Sequence, residues 1–438
     1  MAESNYDKSS AASIYEFALK LTGKSLAEAV KLPEGVTNAR NRGDLGTLVE
    51  KYYFKHTPPN NHDPDFKEAG LELKTTGVLF KASNYRAKER LVLTMINYDA
   101  IASESWENSS FYKKCRLMLI LFYLYTKEVD VVNRQFVLEP LLYEIPASDI
   151  AQIRRDWEFI RQRVLDGKAH ELSEGDTYYL GACRKGLGGE KEALKKQPFS
   201  NEGAKARAFS FKQGYVNKLI ESHIGEATSL GVNAVITFED ATQIRFKPYI
   251  GQTVEEISKQ LGYTKKSSKG FLKEISNRIL AQDGQTILEL DKAGIEMKTI
   301  RLTQLGKPRE SMSFPGFNFL EIVNDEWEGS SFFAKLEHKF LLVIFRADEN
   351  GVDRLFKVAY WNMPYEDRLE AKRVWEETKR RVSIDASNLP RISESRVAHV
   401  RPKARDGKDK LITPQGDMQV KKCFWLNSGY IAGVVANI

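Results

Sequence analysis

The two halves of this chain carry the same residues in the same order. Gly46 and Glu50 of GTLVE match Gly270 and Glu274 of GFLKE, and the separation of 224 residues holds without a gap through Glu72/Glu296 and Lys74/Lys298. Upstream, Gly23 matches Gly251 at 228. Downstream, Trp106 matches Trp327 at 221; Pro146, Asp149, Trp157 and Val164 match Pro364, Asp367, Trp375 and Val382 at 218; and Phe209, Gly214 and Tyr215 match Phe424, Gly429 and Tyr430 at 215. The offset only shrinks, in small steps. Chance likeness between two helices does not stay collinear over nearly a whole chain, so the pattern implies a tandem duplication with its junction near residues 224–247. Two domains follow, 1–228 and 229–438, and a chain of 438 residues with 42% hydrophobic content suits two cores of ordinary size.

One coarse reading serves both copies. Leu45, Leu48, Val49 and Tyr52 recur at helical spacing, which puts Glu50 on a short amphipathic helix over 44–55. The loop HTPPNNHDPD breaks it. Leu71 and Leu73 then alternate with Glu72 and Lys74, the period of a strand, so Glu72 and Lys74 project to the same side. Further strands are expected at 90–97, 117–125, 136–144, 178–183 and 207–212, with a helix over 148–166. Each copy reads as a mixed α/β domain with a central sheet flanked by helices.

Charge and composition narrow the function classes. Sixty-six Lys and Arg against 59 Asp and Glu leave a net charge of +7, a mild excess that suits a polyanionic partner. Cys115, Cys183 and Cys423 have no CxxC spacing, so neither a zinc knuckle nor a disulfide framework is supported, and a reducing compartment fits. The N-terminal residues lack a basic segment followed by an apolar one, and the longest apolar run, Leu117 to Tyr125, is too short to span a bilayer. The expectation is a cytoplasmic protein with no membrane partner.

Asp65, Glu72 and Lys74 of DFKEAGLELK form an acid, six-residue gap, acid, one-residue gap, lysine pattern, repeated as Glu289, Glu296 and Lys298 of ELDKAGIEMK. Phosphodiester hydrolysis needs an in-line water and relief of charge on the phosphate and leaving oxygen, which Mg2+ held by carboxylates provides. Asp65 and Glu72 are the candidate metal ligands, with Glu50 reaching in from its helix and Lys74 placed to orient or deprotonate the water. In a chain with 29% charged residues the pattern alone is common, and its bland reading is the solvated face of a half-buried strand. Recurrence at the same distance from an upstream helical Glu argues against that reading. His56 and His62 lie in a Pro- and Asn-rich loop without the rest of an HNH motif, so that chemistry is set aside.

GDLGTLVEKYY, PDFKEAGLELKTT and SWENSSFYKK together resemble the MutH mismatch-repair nicking endonuclease and the related type II restriction enzymes that cut at GATC. KERLVLTMINY, RRDWEFI, GKAHELSEGDTYYL and AKARAFSFKQGY are closer still to the duplicated GATC restriction enzymes. The resemblance implies two tandem restriction-endonuclease-like PD-(D/E)xK domains, magnesium dependence, double-strand cleavage at GATC and a bacterial cytoplasmic setting. By matched position it makes Asp65 and Glu72 metal ligands, Lys74 the catalytic lysine, Glu50 the helical acid, and Lys114 a second lysine near the attacking water. A lysine opening an apolar strand is the plainer reading of Lys114.

Sequence readout needs basic and polar side chains in a groove and others on phosphates. The Gly- and Lys-rich stretch from Cys183 to Lys212 resembles the recognition loop of these enzymes, with Lys185 the best match and Lys205, Arg207 and Lys212 beside it. In the second half, HVRPKARDGKDK centres the equivalent on Arg401 and Lys403, and Glu89, matched to Glu310, resembles an acidic position near the DNA. A basic surface loop without a partner is the alternative.

The second half retains Glu274, Glu296, Lys298 and Lys335 but has Glu289 for Asp65, one methylene longer, and such sites tolerate little misplacement. In the duplicated enzymes it resembles, the second domain binds a further GATC as an effector without cutting. A monomer dimerising on a palindromic site and engaging two GATC sites is then expected. A mismatch-repair-type nicking enzyme and a non-catalytic GATC-binding protein are the alternatives, and the intact Asp65, Glu72 and Lys74 argue against the latter.

Overall fold

The computed structural model describes residues 6–34, 36, 44–56, 63–186, 193–225, 237–263, 270–281 and 285–438. Its contacts divide the chain into two compact units, Met1–His170 with Thr177–Arg184 and Leu194–Ala234, and Glu171–Asp176 with Lys185–Ala193 and Val235–Ile438. The boundary expected at 228/229 falls outside the described residues.

The first unit is built on a sheet of order β2-β1-β4-β5, comprising β1 (Glu72–Lys81), β2 (Asn84–Ala87), β4 (Leu117–Leu124) and β5 (Leu141–Glu144). β1 runs parallel to β4, with Glu72 opposite Met118 and Lys74 opposite Ile120. A strand flanked on both sides and covered on both faces reads as a continuous apolar run, and Met118 to Phe122 are buried without a break. Leu71 and Leu73 pack with Ile14, Leu45, Val49, Phe54, Leu119 and Leu121 into one core. A second sheet, β3 (Leu91–Met95), β9 (Arg207–Phe211) and β6 (Leu180–Arg184), has β9 at its centre, and β7 (Lys195–Gln197) and β8 (Ser200–Ala204) form a hairpin. The long helix Ala147–Leu165 turns Ile153, Trp157, Ile160 and Val164 inward at i, i+4, i+7 and i+11. Asp156 on that helix accepts backbone N–H groups from Tyr178, Tyr179 and Leu180, so the entry into β6 is tied to it.

The second unit follows a similar order, without a counterpart of β2 among the described residues. β10 (Glu296–Leu302) is parallel to β12 (Phe340–Ala347), which pairs with antiparallel β13 (Asp353–Trp361). β11 (Met312–Gly316), β17 (Lys422–Leu426) and β14 (Ala398–Pro402) form the second sheet, with β17 central, and β15 (Lys410–Ile412) and β16 (Met418–Val420) form a hairpin. The helix Tyr365–Ile384 buries Trp375, the counterpart of Trp157.

Several expectations change. The strand foreseen at 136–144 is confined to Leu141–Glu144, with Phe136 held only by isolated bridges, because Pro140 has no N–H for a ladder. The helix over 44–55 ends as an α-helix at Leu48 and continues as a π-helical turn, Val49–Tyr53. Lys114 is in the last turn of a short helix, Ser110–Cys115, and does not open the apolar strand. Among the described residues, no helix is long and apolar enough to cross a membrane.

Candidate active site

The acid–x6–acid spacing is the length of a reverse turn. Phe66 and Leu71 exchange backbone hydrogen bonds at 2.9 and 3.1 Å, closing a tight loop over Lys67–Gly70 in which Gly70 takes φ +61°. Asp65 and Glu72 flank that bridge. The Asp65 N–H donates to Glu72 Oε2 at 3.1 Å, and the Leu73 N–H donates to Asp65 Oδ2 at 2.9 Å. Both carboxylates are nearly sealed, at 5% and 1% exposure, so the solvated-face reading of this strand fails.

Two lysines converge on Glu72. Lys74 Nζ lies 2.5 Å from Oε1, and Lys114 Nζ lies 3.2 Å from Oε2 and donates to the Asp63 carbonyl at 3.0 Å. Burial pushes the Glu72 carboxyl up against the pull of Lys74. Burial works against the Lys74 ammonium too, yet Glu72 and Cys115 beside it hold Lys74 above its usual value. Glu50, on the π-helical turn, is pushed up to about 7, first by burial and then by the charge of Asp65, while Lys74 and Lys114 pull it down. The five residues singled out from sequence therefore share one electrostatic site.

Sequence reasoning missed four neighbours. Buried Asp63 pairs with Lys113 Nζ at 2.5 Å and Lys67 Nζ at 3.0 Å. Buried Cys115 has its thiol pushed up to about 12 by burial, with Lys74 and Lys114 lowering it. Asp63 and Lys113 carried one signal: the second half has Ile287 and Ala334 at the matched places.

Magnesium prefers oxygen ligands, and two adjacent carboxylates with a third acid held up first by burial and then by the charge of Asp65 form a donor set of that kind. Among the described residues no group of three or more His, Cys, Asp or Glu side chains is closed enough to hold a metal ion by itself. A pair of carboxylates that is incomplete as a ligand set fits an ion that keeps waters and takes substrate oxygens as further ligands.

In the second unit the two lysines keep their place on the matched glutamate, and the other two acids are arranged differently. Glu296 is held by Lys298 at 2.7 Å and Lys335 at 2.8 Å. Burial works upward on it, but these two lysines pull Glu296 down to about 2. Glu289 lies in the helix Gln285–Lys292, so it leaves the hairpin-like position of Asp65 altogether; the change is larger than the one methylene expected. Glu274 pairs with Arg278 on its own helix at 3.3 Å.

The DNA-binding candidates divide by exposure. Glu89 is half exposed beside Lys88 at 3.5 Å. Lys185 is half-buried just after β6, and residues 187–192 of its loop lie outside the described residues. Half-buried Lys205 has its carbonyl fixed by the Tyr98 hydroxyl at 2.6 Å. Arg207 and Lys212 face inward, against expectation: Arg207 donates to the Ala182 carbonyl at 2.6 Å and Lys212 to the Thr177 carbonyl. Burial at 5% and 8% makes them supports of β9, where a phosphate contact requires an exposed head group. In the second unit Arg401 is exposed and stacked on Trp425, 4.1 Å from the ring centroid, and exposed Lys403 donates to the Phe314 carbonyl at 2.8 Å. His56 stacks on Phe66 and its pKa is lowered, first by burial, the mark of a packed ring.

The family model for the DNA mismatch repair enzyme MutH matches two separate stretches, residues 54–156 and 281–371. The type II restriction enzyme Sau3AI of Staphylococcus aureus is 31% identical, over 97% of this chain and 98% of that enzyme. MutH proteins of Pasteurella multocida and Shewanella woodyi are 24% and 26% identical over 34% and 31% of this chain, and 64% and 56% of their own lengths. The chain belongs to the family of type II restriction enzymes represented by Sau3AI and related to MutH, and it is a site-specific deoxyribonuclease.

Proposed function

We propose that this enzyme makes Mg2+-dependent double-strand cuts in DNA at GATC, with the first of two tandem restriction-endonuclease-like PD-(D/E)xK domains cutting and the second binding a further GATC as effector. The observation that carries the division of labour is the contrast between Glu72 and Glu296. Each is met by two lysines, but the Glu72 side chain is sealed at 1% exposure with Asp65 beside it, whereas that of Glu296 is 27% exposed and its matched acid, Glu289, lies on a helix. The matching of one family model to both halves supports duplication. The GATC reading rests on the likeness of the motifs.

Asp65 and Glu72 would hold the metal, which when bound supplies charge relief at the phosphate and activation of a water. Lys74 Nζ, an ammonium beside Glu72 Oε1, is placed to orient that water and to donate a proton or a hydrogen bond. Lys114 Nζ fixes the other Glu72 oxygen. Glu50, held up to about 7, is a proton acceptor in the neutral range. Lys185, Lys205 and Glu89 would meet DNA at the first domain, Arg401 and Lys403 at the second. A chain with one cutting centre severs a palindrome as a pair assembled on DNA, the second domains adding avidity.

The test is incubation with Mg2+ and plasmids bearing no, one or two GATC sites, with adenine- and cytosine-methylated copies alongside. Cleavage confined to GATC plasmids and abolished by EDTA is expected, with the two-site plasmid preferred and one-site cutting stimulated by a short GATC duplex. Cutting of the plasmid without GATC removes the specificity, equal one- and two-site rates remove the effector role, and nicking alone favours the mismatch-repair mode.

A further inference from the structure

Lys114 reaches Glu72 from a helix that does not belong to the metal-binding loop, so something must set the distance between them. The structure contains such a tie. Asp63 is 5% exposed, and three lysines converge on it. Its Oδ1 pairs with Lys113 Nζ at 2.5 Å, its Oδ2 with Lys67 Nζ at 3.0 Å, and its carbonyl accepts from Lys114 Nζ at 3.0 Å. Lys113 and Lys114 are successive residues in the last turn of Ser110–Cys115. The helix is thus pinned to the loop twice, side chain to side chain and side chain to carbonyl, two residues before Asp65.

The second half shows what the site looks like without this tie. Its counterparts of Asp63, Lys113 and Lys67 are Ile287, Ala334 and Asp291, so the carboxylate, its main partner and the sign of the third charge are all changed. Lys335 still meets Glu296, but its side chain is 34% exposed where that of Lys114 is 13% exposed. The lysine survives in both halves; the device that encloses it belongs to one.

We propose that Asp63 and Lys113 form a positioning clamp that holds Lys114 against Glu72 in the cutting domain, and that neither is itself a catalytic residue. This rests on the reading of the first domain as the catalytic one. A lysine aimed at a reacting centre loses effect with small displacements, of the order of a hundredfold for 1 Å, whereas a partly exposed ion pair adds little to stability. Loss of the clamp therefore lowers the rate of chemistry and leaves folding and DNA affinity largely unchanged.

The experiment uses the full chain with Mg2+ and a GATC duplex under single-turnover conditions, comparing Lys113→Ala, Lys113→Arg, Asp63→Ala and the Asp63→Ala/Lys113→Ala double variant, with Glu72→Ala as control. The expected result for Lys113→Ala is a cleavage rate lower by about tenfold to a hundredfold, with half-saturation and melting temperature unmoved. Lys113→Arg recovers most of the rate, and the double variant is no slower than Asp63→Ala alone. An unchanged rate in Lys113→Ala overturns the clamp. So does a loss confined to half-saturation, which makes Lys113 a phosphate contact, and so do losses that multiply in the double variant. Should Asp63→Ala fail to fold, Lys113→Ala decides, since that side chain is 62% exposed. If Glu72→Ala still cuts, the catalytic reading falls and the clamp with it; if Glu72→Ala is inactive while Lys113→Ala is fully active, the clamp alone falls.

Discussion

The backbone N–H of Asp65 donates to Glu72 Oε2 at 3.1 Å, so one carboxylate is positioned by the main chain of the residue that carries the other. A tight turn between them and the Leu73 N–H on Asp65 Oδ2 make the pair a single rigid element. Glu72→Ala removes a buried acceptor from two lysines and this N–H, and cleavage is expected to fall by about 10³-fold or more, the scale for loss of a preorganised electrostatic group. Glu296→Ala is expected to leave the cutting step within a few-fold. Single-turnover rates on one duplex decide this, and equal losses in the two variants would show that both halves cut.

Glu50 makes stability depend on pH. Its folded value is raised to about 7 from the ordinary 4.5, so its contribution to stability is fully present below 4.5 and is lost as pH rises through about 7. In metal-free buffer, Glu50→Gln should flatten the fall of melting temperature across that window. Glu296 has the opposite sign: pulled from 4.5 to about 2, it contributes above 4.5 and loses that contribution as pH falls toward 2. Parallel melting profiles for the parent and Glu50→Gln from acid to neutral pH would count against the placement of Glu50.

Arg401 tests the second domain. Exposed and stacked on Trp425, it combines a free-facing charge with a fixed plane. Arg401→Ala should weaken stimulation by an added GATC duplex at least about tenfold, on the scale of one good base or phosphate contact, while one-site cutting without the duplex changes little. Stimulation curves against duplex concentration give the answer; an unshifted curve removes Arg401 from the interface.

Leu119, fully buried in β4 beneath the Asp65–Glu72 turn, tests the scaffold. Leu119→Ala leaves a cavity and should cost about 2–5 kcal/mol. Denaturant unfolding measures it, and a cost below 1 kcal/mol would mean that β4 is not the packed centre of this unit.

How much of this was legible beforehand follows from range. Collinear matches along the chain pointed to the repeat, the apolar stretch over 117–125 to a strand and the pattern over 148–166 to a helix, because periodicity is a local property of the chain. Motif spacing likewise brought out Glu50, Asp65, Glu72, Lys74 and Lys114, and the fold gathers them. What lay beyond reach depended on neighbours distant in sequence. Arg207 and Lys212 look like DNA contacts in a basic segment, but Ala182 and Thr177 turn their charges inward. Asp65 and Glu289 look like a one-methylene exchange, but the tertiary structure sets one beside a tight turn and the other on a helix. The chain by itself determined the repeated order of motifs and which acids and lysines recur in it; only the packed structure decided which stretch keeps its acids together, because burial and the placement of a charge belong to the whole neighbourhood and not to the spacing of a motif.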